Sequence, residues 1–194
     1  MEPLFDKSST ALVIIDLQNG ITVIPSLPYD AGNVIASAAK LADAFRCNGM
    51  PVFLVRVAAS ADGKDRLVPL TDNAGSPATI PLTPGWSDIV PELGPREHDQ
   101  VITKKQWGAF YGTELDLQLR RRKMDTIVLC GISTNIGVES TARFAFEYGY
   151  QQIFAEDAMS ARSVKEHEYT VSVIFPRIGR VRKTSDILEQ MKKQ

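Results

Sequence analysis

Thr126-Ile-Val-Leu-Cys-Gly-Ile-Ser-Thr-Asn-Ile-Gly-Val-Glu-Ser-Thr-Ala-Arg-Phe-Ala145 is the stretch from which the rest of this chain can be ordered. It opens as an apolar, β-forming run from Ile127 to Cys130 and breaks at Gly131. It then changes to helical spacing, with Ile136, Ala142, Ala145 and Phe146 on one face. A strand that turns abruptly into a helix sets backbone N–H groups at the carboxyl edge of a sheet, where open α/β sheets bind ligands. Thr134 or Asn135 is expected to cap the helix, which places Gly137 in its first turn. Gly149 closes it.

The same alternation extends to both sides. Upstream, residues 11–16 form a continuous apolar run that ends in a carboxylate, the pattern of a buried strand with Asp16 at its exit. Asp16 there is either a turn cap or a site residue. Residues 32–48 have a helical stripe of Val34, Ile35, Ala38, Leu41, Ala42 and Phe45, stopped by Gly49. Residues 51–57 and 100–103 read as two more strands, the second delivering Lys104 to its carboxyl end. A capping box at Thr113 and Asp116 opens a helix to about Lys123. Downstream come a strand over 152–156, with Asp157 after it as a cap, and a helix from Ser163 that stops before Pro176. A short strand over 179–183 and a helix from about Ser185 finish the chain. Strands alternating with helices predict an α/β fold: a three-layer α/β/α sandwich around a mostly parallel sheet of about six strands, in one domain over 1–194.

Residues 58–99 interrupt the pattern. Six of the eleven prolines fall between Pro69 and Pro95, and no periodicity survives. A loop this long is expected to carry function or a subunit contact. Trp86 either walls a pocket or anchors the loop to the core. Arg56, just before the loop, either meets an anionic substrate or makes a surface ion pair.

Composition excludes several classes. Hydrophobic residues at 44%, charged residues at 23% and a net charge of −1 describe an ordinary soluble domain. Arg120-Arg-Arg-Lys123 reads as a solvated helix end, so no nucleic-acid partner is expected. No apolar run approaches a membrane span, and the first residues carry no signal-peptide pattern, so the expected location is cytoplasmic. Cys47 and Cys130 make no disulfide framework; Cys47 reads as inert and Cys130 as core. His98 has no metal-ligand spacing around it and His167 reads as exposed, so neither a metal nor a cofactor is expected.

Three segments carry a family resemblance: residues 13–19 with Asp16, Gln18 and Asn19, residues 103–110 with Lys104, Trp107 and Phe110, and residues 131–143. In this order they resemble the isochorismatase-like hydrolases, a superfamily with the three-layer fold. Most of its members use an Asp–Lys–Cys triad, which maps onto Asp16, Lys104 and position 137. Position 137 is Gly. A thiol there would be activated by the helix start and a cation, but glycine cannot attack, and Cys130 lies seven positions earlier. True isochorismatases also have Gly at this position. The resemblance to them implies Asp16 as the general acid on a small carboxylated substrate such as a vinyl ether, with Lys104 and the N–H groups near Gly137 holding negative charge.

Ser133 and Asn135 stand where those enzymes have Tyr and His, and look more like the cysteine-hydrolase branch. Gln18 and Asn19 either hold Asp16 and the substrate or satisfy the turn after the strand. Trp107 and Phe110 are candidate pocket aromatics, although helix–sheet packing accounts for Phe110 as well. The resemblance also implies a homodimer or higher homo-oligomer and a cis peptide at Ile132–Ser133. Two alternatives stay open: water-mediated amide or ester hydrolysis, and a non-catalytic small-molecule-binding pseudoenzyme of the same fold.

Overall fold

The computed structural model describes residues 4–72 and 83–193. Six strands form one sheet: β1 Thr10–Ile15, β2 Val52–Val57, β3 Gln100–Lys104, β4 Thr126–Ile132, β5 Gln151–Ser160 and β6 Arg180–Arg182. Their order is β3-β2-β1-β4-β5-β6 and every pairing is parallel. The chain winds outward from β1 in one direction, then returns to its other side with β4. The gap between the β1 and β4 exits is therefore the topological switch point, where such sheets bind ligands.

The helices are α1 Asn19–Thr22, α2 Ala31–Cys47, α3 Leu115–Arg121, α4 Glu139–Glu147, α5 Val164–Tyr169, α6 Phe175–Ile178 and α7 Thr184–Lys193. Strand alternation divides the core in two. Leu12 and Ile14 of β1 face the stripe of α2 (Val34, Ala38, Leu41 and Phe45) with Ile187 and Met191 of α7. Ala11, Val13 and Ile15 face Leu115 and Leu119 of α3, Ala142 and Ala145 of α4, and Phe175 of α6. All six β1 residues are buried, as a central strand covered on both faces must be. Phe175 stacks on Phe154 with centroids 3.8 Å apart.

The expected elements appear, with corrections at their ends. β5 runs to Ser160 rather than stopping at Glu156. Its pairing with β4 shifts between Leu129 and Gly131, and Met159 and Ser160 then pair with Gly131 and Ile132. Asp157 thus lies inside β5, and its carboxylate caps α7 by accepting from Thr184 N and Oγ1, each at 2.7 Å. The helix from Ser163 does not end before Pro176. After α5 it widens into a π turn, Thr170–Ile174, and resumes as α6 with Pro176 in its first turn, where a missing N–H costs nothing. The helix after β4 also starts with a π turn, Thr134–Val138, whose N-cap residue is Ser133 with no side-chain bond, so neither Thr134 nor Asn135 caps it as expected. At the start of α3 Glu114 makes no side-chain cap bond, but the Thr113 hydroxyl accepts from Leu115 N at 3.2 Å, in the capping place expected of Thr113.

Between β2 and β3 the described residues of the long loop form turns, irregular stretches and one antiparallel bridge, Ile89 to Gln18, and residues 73–82 of it lie outside the description. Trp86 anchors this loop. Its carbonyl accepts from Gly20 N at 2.8 Å, and its ring lies so close to Gly20 that an added Cβ would stand 2.0 Å from Nε1. Arg56 donates to Thr103 Oγ1 at 3.1 Å and approaches Asp88 at 4.0 Å, the ion-pair alternative. Among the described residues no helix is long and apolar enough to cross a membrane.

Candidate active site

β1 delivers Asp16. Its backbone N–H bonds to Val55 O at 2.9 Å, and its φ of 53° turns the chain sharply out of the strand. That left-handed conformation costs a non-glycine residue about 1–3 kcal/mol, least for Asp and Asn. It brings the carboxylate over the sheet edge.

β3 delivers Lys104 from two strands away, and the ammonium reaches Asp16 Oδ2 at 2.7 Å. Lys104 is 2% exposed and Asp16 6%. The ammonium also donates to Gln106 O at 3.1 Å and Trp107 O at 2.6 Å. A lysine has three N–H donors, and these three acceptors engage all of them. The residues after β3 therefore wrap the ammonium, and Lys104 has no donor to offer a substrate carboxylate, contrary to the role the sequence suggested.

The π turn delivers Gly137. A Cβ built there would lie 3.1 Å from Asp16 Oδ2, 3.6 Å from Lys104 Nζ and 2.9 Å from Ile15 Cγ2. Position 137 thus faces the Asp16–Lys104 pair, and the surrounding atoms have closed on the glycine. Gly131 supports this approach. Its φ is +121° and an added Cβ would stand 2.0 Å from Ile15 O, so only glycine lets β4 run this close to β1. The Ile132–Ser133 peptide is cis.

Burial pushes the Asp16 carboxyl above the usual carboxylate range; the Lys104 charge and hydrogen bond pull the other way without reversing it. Its two oxygens differ. Oδ2 is held by Lys104, whereas Oδ1 is buried with no hydrogen-bond partner. Asn135 Oδ1 is in the same condition. Two buried oxygens on the segments that flank the switch point thus lack a protein partner: Asn135 Oδ1 accepts from a ligand, whereas Asp16 Oδ1 accepts as a carboxylate and donates once protonated.

The remaining candidates divide. Ser133 is buried and its carbonyl receives Ile136 N and Val138 N, each at 3.1 Å, which shapes the turn. Gln18 is taken out of the substrate-binding set. Its amide grips β2, with Oε1 accepting from Val57 N at 2.8 Å and Nε2 donating to Val57 O at 3.0 Å. Asn19 donates to Gly85 O at 3.1 Å and so satisfies the turn. Phe110 is also removed, being buried between Tyr148 and Tyr150 with centroids at 5.4 and 5.7 Å. Trp107 contributes its carbonyl to Lys104 while its side chain is 64% exposed.

Two residues were missed. Thr141 accepts from Ala109 N at 3.1 Å and donates to Gly137 O at 2.7 Å, tying the turn to the loop that holds Lys104; its only sequence signal is a threonine four places after Gly137. His167, expected to be exposed, is 3% exposed and lies 2.9 Å from Thr134 Oγ1. Cys130 is buried, which pushes its thiol pKa upward, and Cys47 is exposed. Among the described residues no three His, Cys, Asp or Glu side chains are grouped to hold a metal ion.

The sequence profile of the Isochorismatase domain matches residues 10–186. YwoC of Bacillus subtilis, an uncharacterised isochorismatase family protein, is 54% identical over 187 residues, covering 96% of each chain. RutB of Variovorax paradoxus, a ureidoacrylate amidohydrolase, is 30% identical over 90% of this chain and 79% of its own. The structure of an isochorismatase family protein from Burkholderia thailandensis superposes with a TM-score of 0.93 at 45% identity, covering 98% of each chain.

Proposed function

The chain belongs to the isochorismatase family of hydrolases, and on that premise we propose that it hydrolyses a small substrate without a covalent enzyme intermediate, with Asp16 as its acid–base group. The observation that carries this reading is the Asp16 carboxyl: Oδ2 lies 3.1 Å from where a Cβ would stand on the glycine at the nucleophile position, and Oδ1 is buried and partner-free. Lys104 is the clamp on Oδ2. It fixes the carboxyl rotamer, leaving Oδ1 without a protein partner, and it balances charge with all three of its donors engaged by the protein.

A proton donor is made effective by a raised pKa, and burial acts on Asp16 in that direction. The substrate this suits best is a carboxylated vinyl ether. Asp16 gives its proton to the terminal vinyl carbon, which becomes a methyl group. Water adds to the oxocarbenium carbon and returns a proton to Asp16. The hemiketal then breaks its C–O bond to release an alcohol and a 2-oxo acid. The substrate carboxylate is met by N–H groups at the start of the π turn, since the Lys104 donors are engaged.

A second reading, water-mediated amide hydrolysis, is favoured by Asn135 Oδ1, an unsatisfied acceptor suited to an –NH2 group, and by the amidohydrolase RutB among the relatives. Product analysis by NMR in D2O, with panels of vinyl ethers and small amides, separates the two: only protonation at carbon puts deuterium into the product methyl. Asp16→Asn should slow turnover at least about a hundredfold, the scale of acid–base catalysis. Full turnover in the folded variant, or loss of wild-type turnover on iodoacetamide treatment, refutes the reading. The homo-oligomer that the family resemblance implies is tested directly by sedimentation.

A further inference from the structure

Behind the π turn lies a second buried polar cluster that the hydrolytic chemistry does not use. His167 of α5 places Nδ1 2.9 Å from Thr134 Oγ1, and Thr134 is wholly buried as the first residue of the turn that carries Asn135 and Gly137. His167 Nε2 faces Glu156 of β5, 4.0 Å from Oε2. The Tyr29 ring packs edge-on against the imidazole, with centroids 5.8 Å apart. Glu156 in turn pairs with Lys183 and accepts from the Tyr29 hydroxyl at 3.2 Å. A parallel tie runs from Thr170 Oγ1 to Glu139 Oε2 at 2.8 Å, joining the start of the second π turn to the start of α4.

In a neutral imidazole one nitrogen donates and the other accepts. A carboxylate facing Nε2 assigns the proton to that nitrogen, which leaves Nδ1 to accept from the Thr134 hydroxyl. This is the buried hydroxyl's acceptor, at the residue from which the turn departs. We propose that His167 is a positioning residue for the site: through Thr134 it holds the π turn that carries Asn135 and sets Gly137 against Asp16, and a second proton on its ring releases that hold. The consequence for turnover rests on the hydrolase reading; the hold on the turn does not.

The groups facing His167 are Glu156 from β5, Lys183 from the link between β6 and α7, Tyr29 from the segment before α2, and Glu168 on α5 itself. Burial pushes its pKa below the usual histidine value, while Glu156 and Glu168 pull it up and Lys183 pushes it down. A depressed histidine is neutral at pH 7. The stabilisation it provides is present above about pH 6.5 and is lost as pH falls through its folded value.

Amide hydrogen exchange across residues 134–138, read by peptide-resolved mass spectrometry on the full chain, tests this. His167→Leu should speed exchange there about fivefold to tenfold at pH 7, the loss of one buried hydrogen bond. His167→Asn, whose amide stands where Nδ1 does, should keep wild-type protection at pH 7 and abolish the extra loss that the wild type shows as pH is lowered from 6.5. Wild-type protection in His167→Leu, or the same pH step in His167→Asn, overturns the proposal. If His167→Leu does not fold, Thr134→Val keeps the shape and removes the hydroxyl; unchanged protection in that variant overturns it equally. No substrate enters the measurement, so failure here is distinct from failure of the hydrolase reading, which is decided by turnover measurements.

Discussion

Gly137→Cys restores a thiol to a site whose other two partners are in place, and the geometry sets its titration. The new Cβ presses on Ile15 Cγ2 at 2.9 Å, so Ile15 must give by a few tenths of an ångström. Overpacking of this kind costs about 1–3 kcal/mol, offset by up to about 1 kcal/mol for replacing glycine in a helical turn. At about 2–4 °C per kcal/mol for a domain of this size, the variant folds and melts at most about 12 °C lower. With Cβ 3.1 Å from Asp16 Oδ2 and 3.6 Å from Lys104 Nζ, the sulfur meets both charges at about 4 Å. At an effective dielectric of about 20 each acts by about 4 kcal/mol, or about three pKa units, with opposite signs. An ionised Asp16 therefore cancels Lys104 and leaves only the helix start, about 0.3–1 kcal/mol, so the thiol titrates near 8. Asp16→Asn removes the anion. In the double variant Lys104 and the helix start act together and the thiol pKa should fall to about 5, against about 8.5 for a free cysteine. The single variant lies between these values, and its position reads the ionised fraction of Asp16. The assay is the pH dependence of iodoacetamide alkylation in a Cys47→Ser background, followed at the position-137 peptide. A double variant that titrates at 8.5 or above, or a thiol that does not react while the protein is folded, refutes the argument that position 137 faces this pair.

Burial raises Asp16, so its contribution to stability is present below about pH 3.9 and is lost as pH rises through the folded pKa. The melting temperature of Asp16→Asn relative to wild type should accordingly move in the variant's favour from pH 4 to pH 8; a constant difference contradicts burial as the dominant influence. By the same sign, kcat/KM should fall as pH rises through that pKa, and a profile rising over this range would make Asp16 a base instead. Gly131→Ala puts a Cβ against Ile15 O at 2.0 Å in a left-handed backbone, so it should cost more than about 3 kcal/mol; a melting temperature within 2 °C of wild type would contradict the close approach of β1 and β4. Phe110→Leu should lose about 1–2 kcal/mol of stability through its Tyr148 and Tyr150 contacts, with KM unchanged within about twofold, and a large rise in KM would return Phe110 to the pocket.

Much of the fold was written locally. The apolar run of β1, the stripe of α2 and the strand-to-helix break at Gly131 each repeat with the period of the element they form, because each element buries a face. Asp157 was legible as a cap from its residue type, although its partner, Thr184, lies 27 residues away. The end of β5 was not legible, since the register shift opposite Gly131 that extends it belongs to a neighbouring strand. Nor was the continuation through Pro176, because a π turn resets the hydrogen-bond pattern and makes the proline an N-terminal residue again.

The sequence by itself determined which residue types reach the carboxyl edge of the sheet: a carboxylate at 16, an ammonium at 104 and no side chain at 137. Only the tertiary structure decided what each is free to do. Lys104 is 88 positions from Asp16, and the carbonyls of Gln106 and Trp107 complete its donors once the loop wraps back. Gln18 was a candidate until β2 took both ends of its amide. His167 looked exposed on a polar helix until α5 packed it against Thr134 and Glu156. Periodicity reports the face an element buries, which is a property of neighbours in the chain. Hydrogen-bond saturation and desolvation depend on strand order and loop return, which bring together groups whose spacing in sequence carries no signal of their meeting.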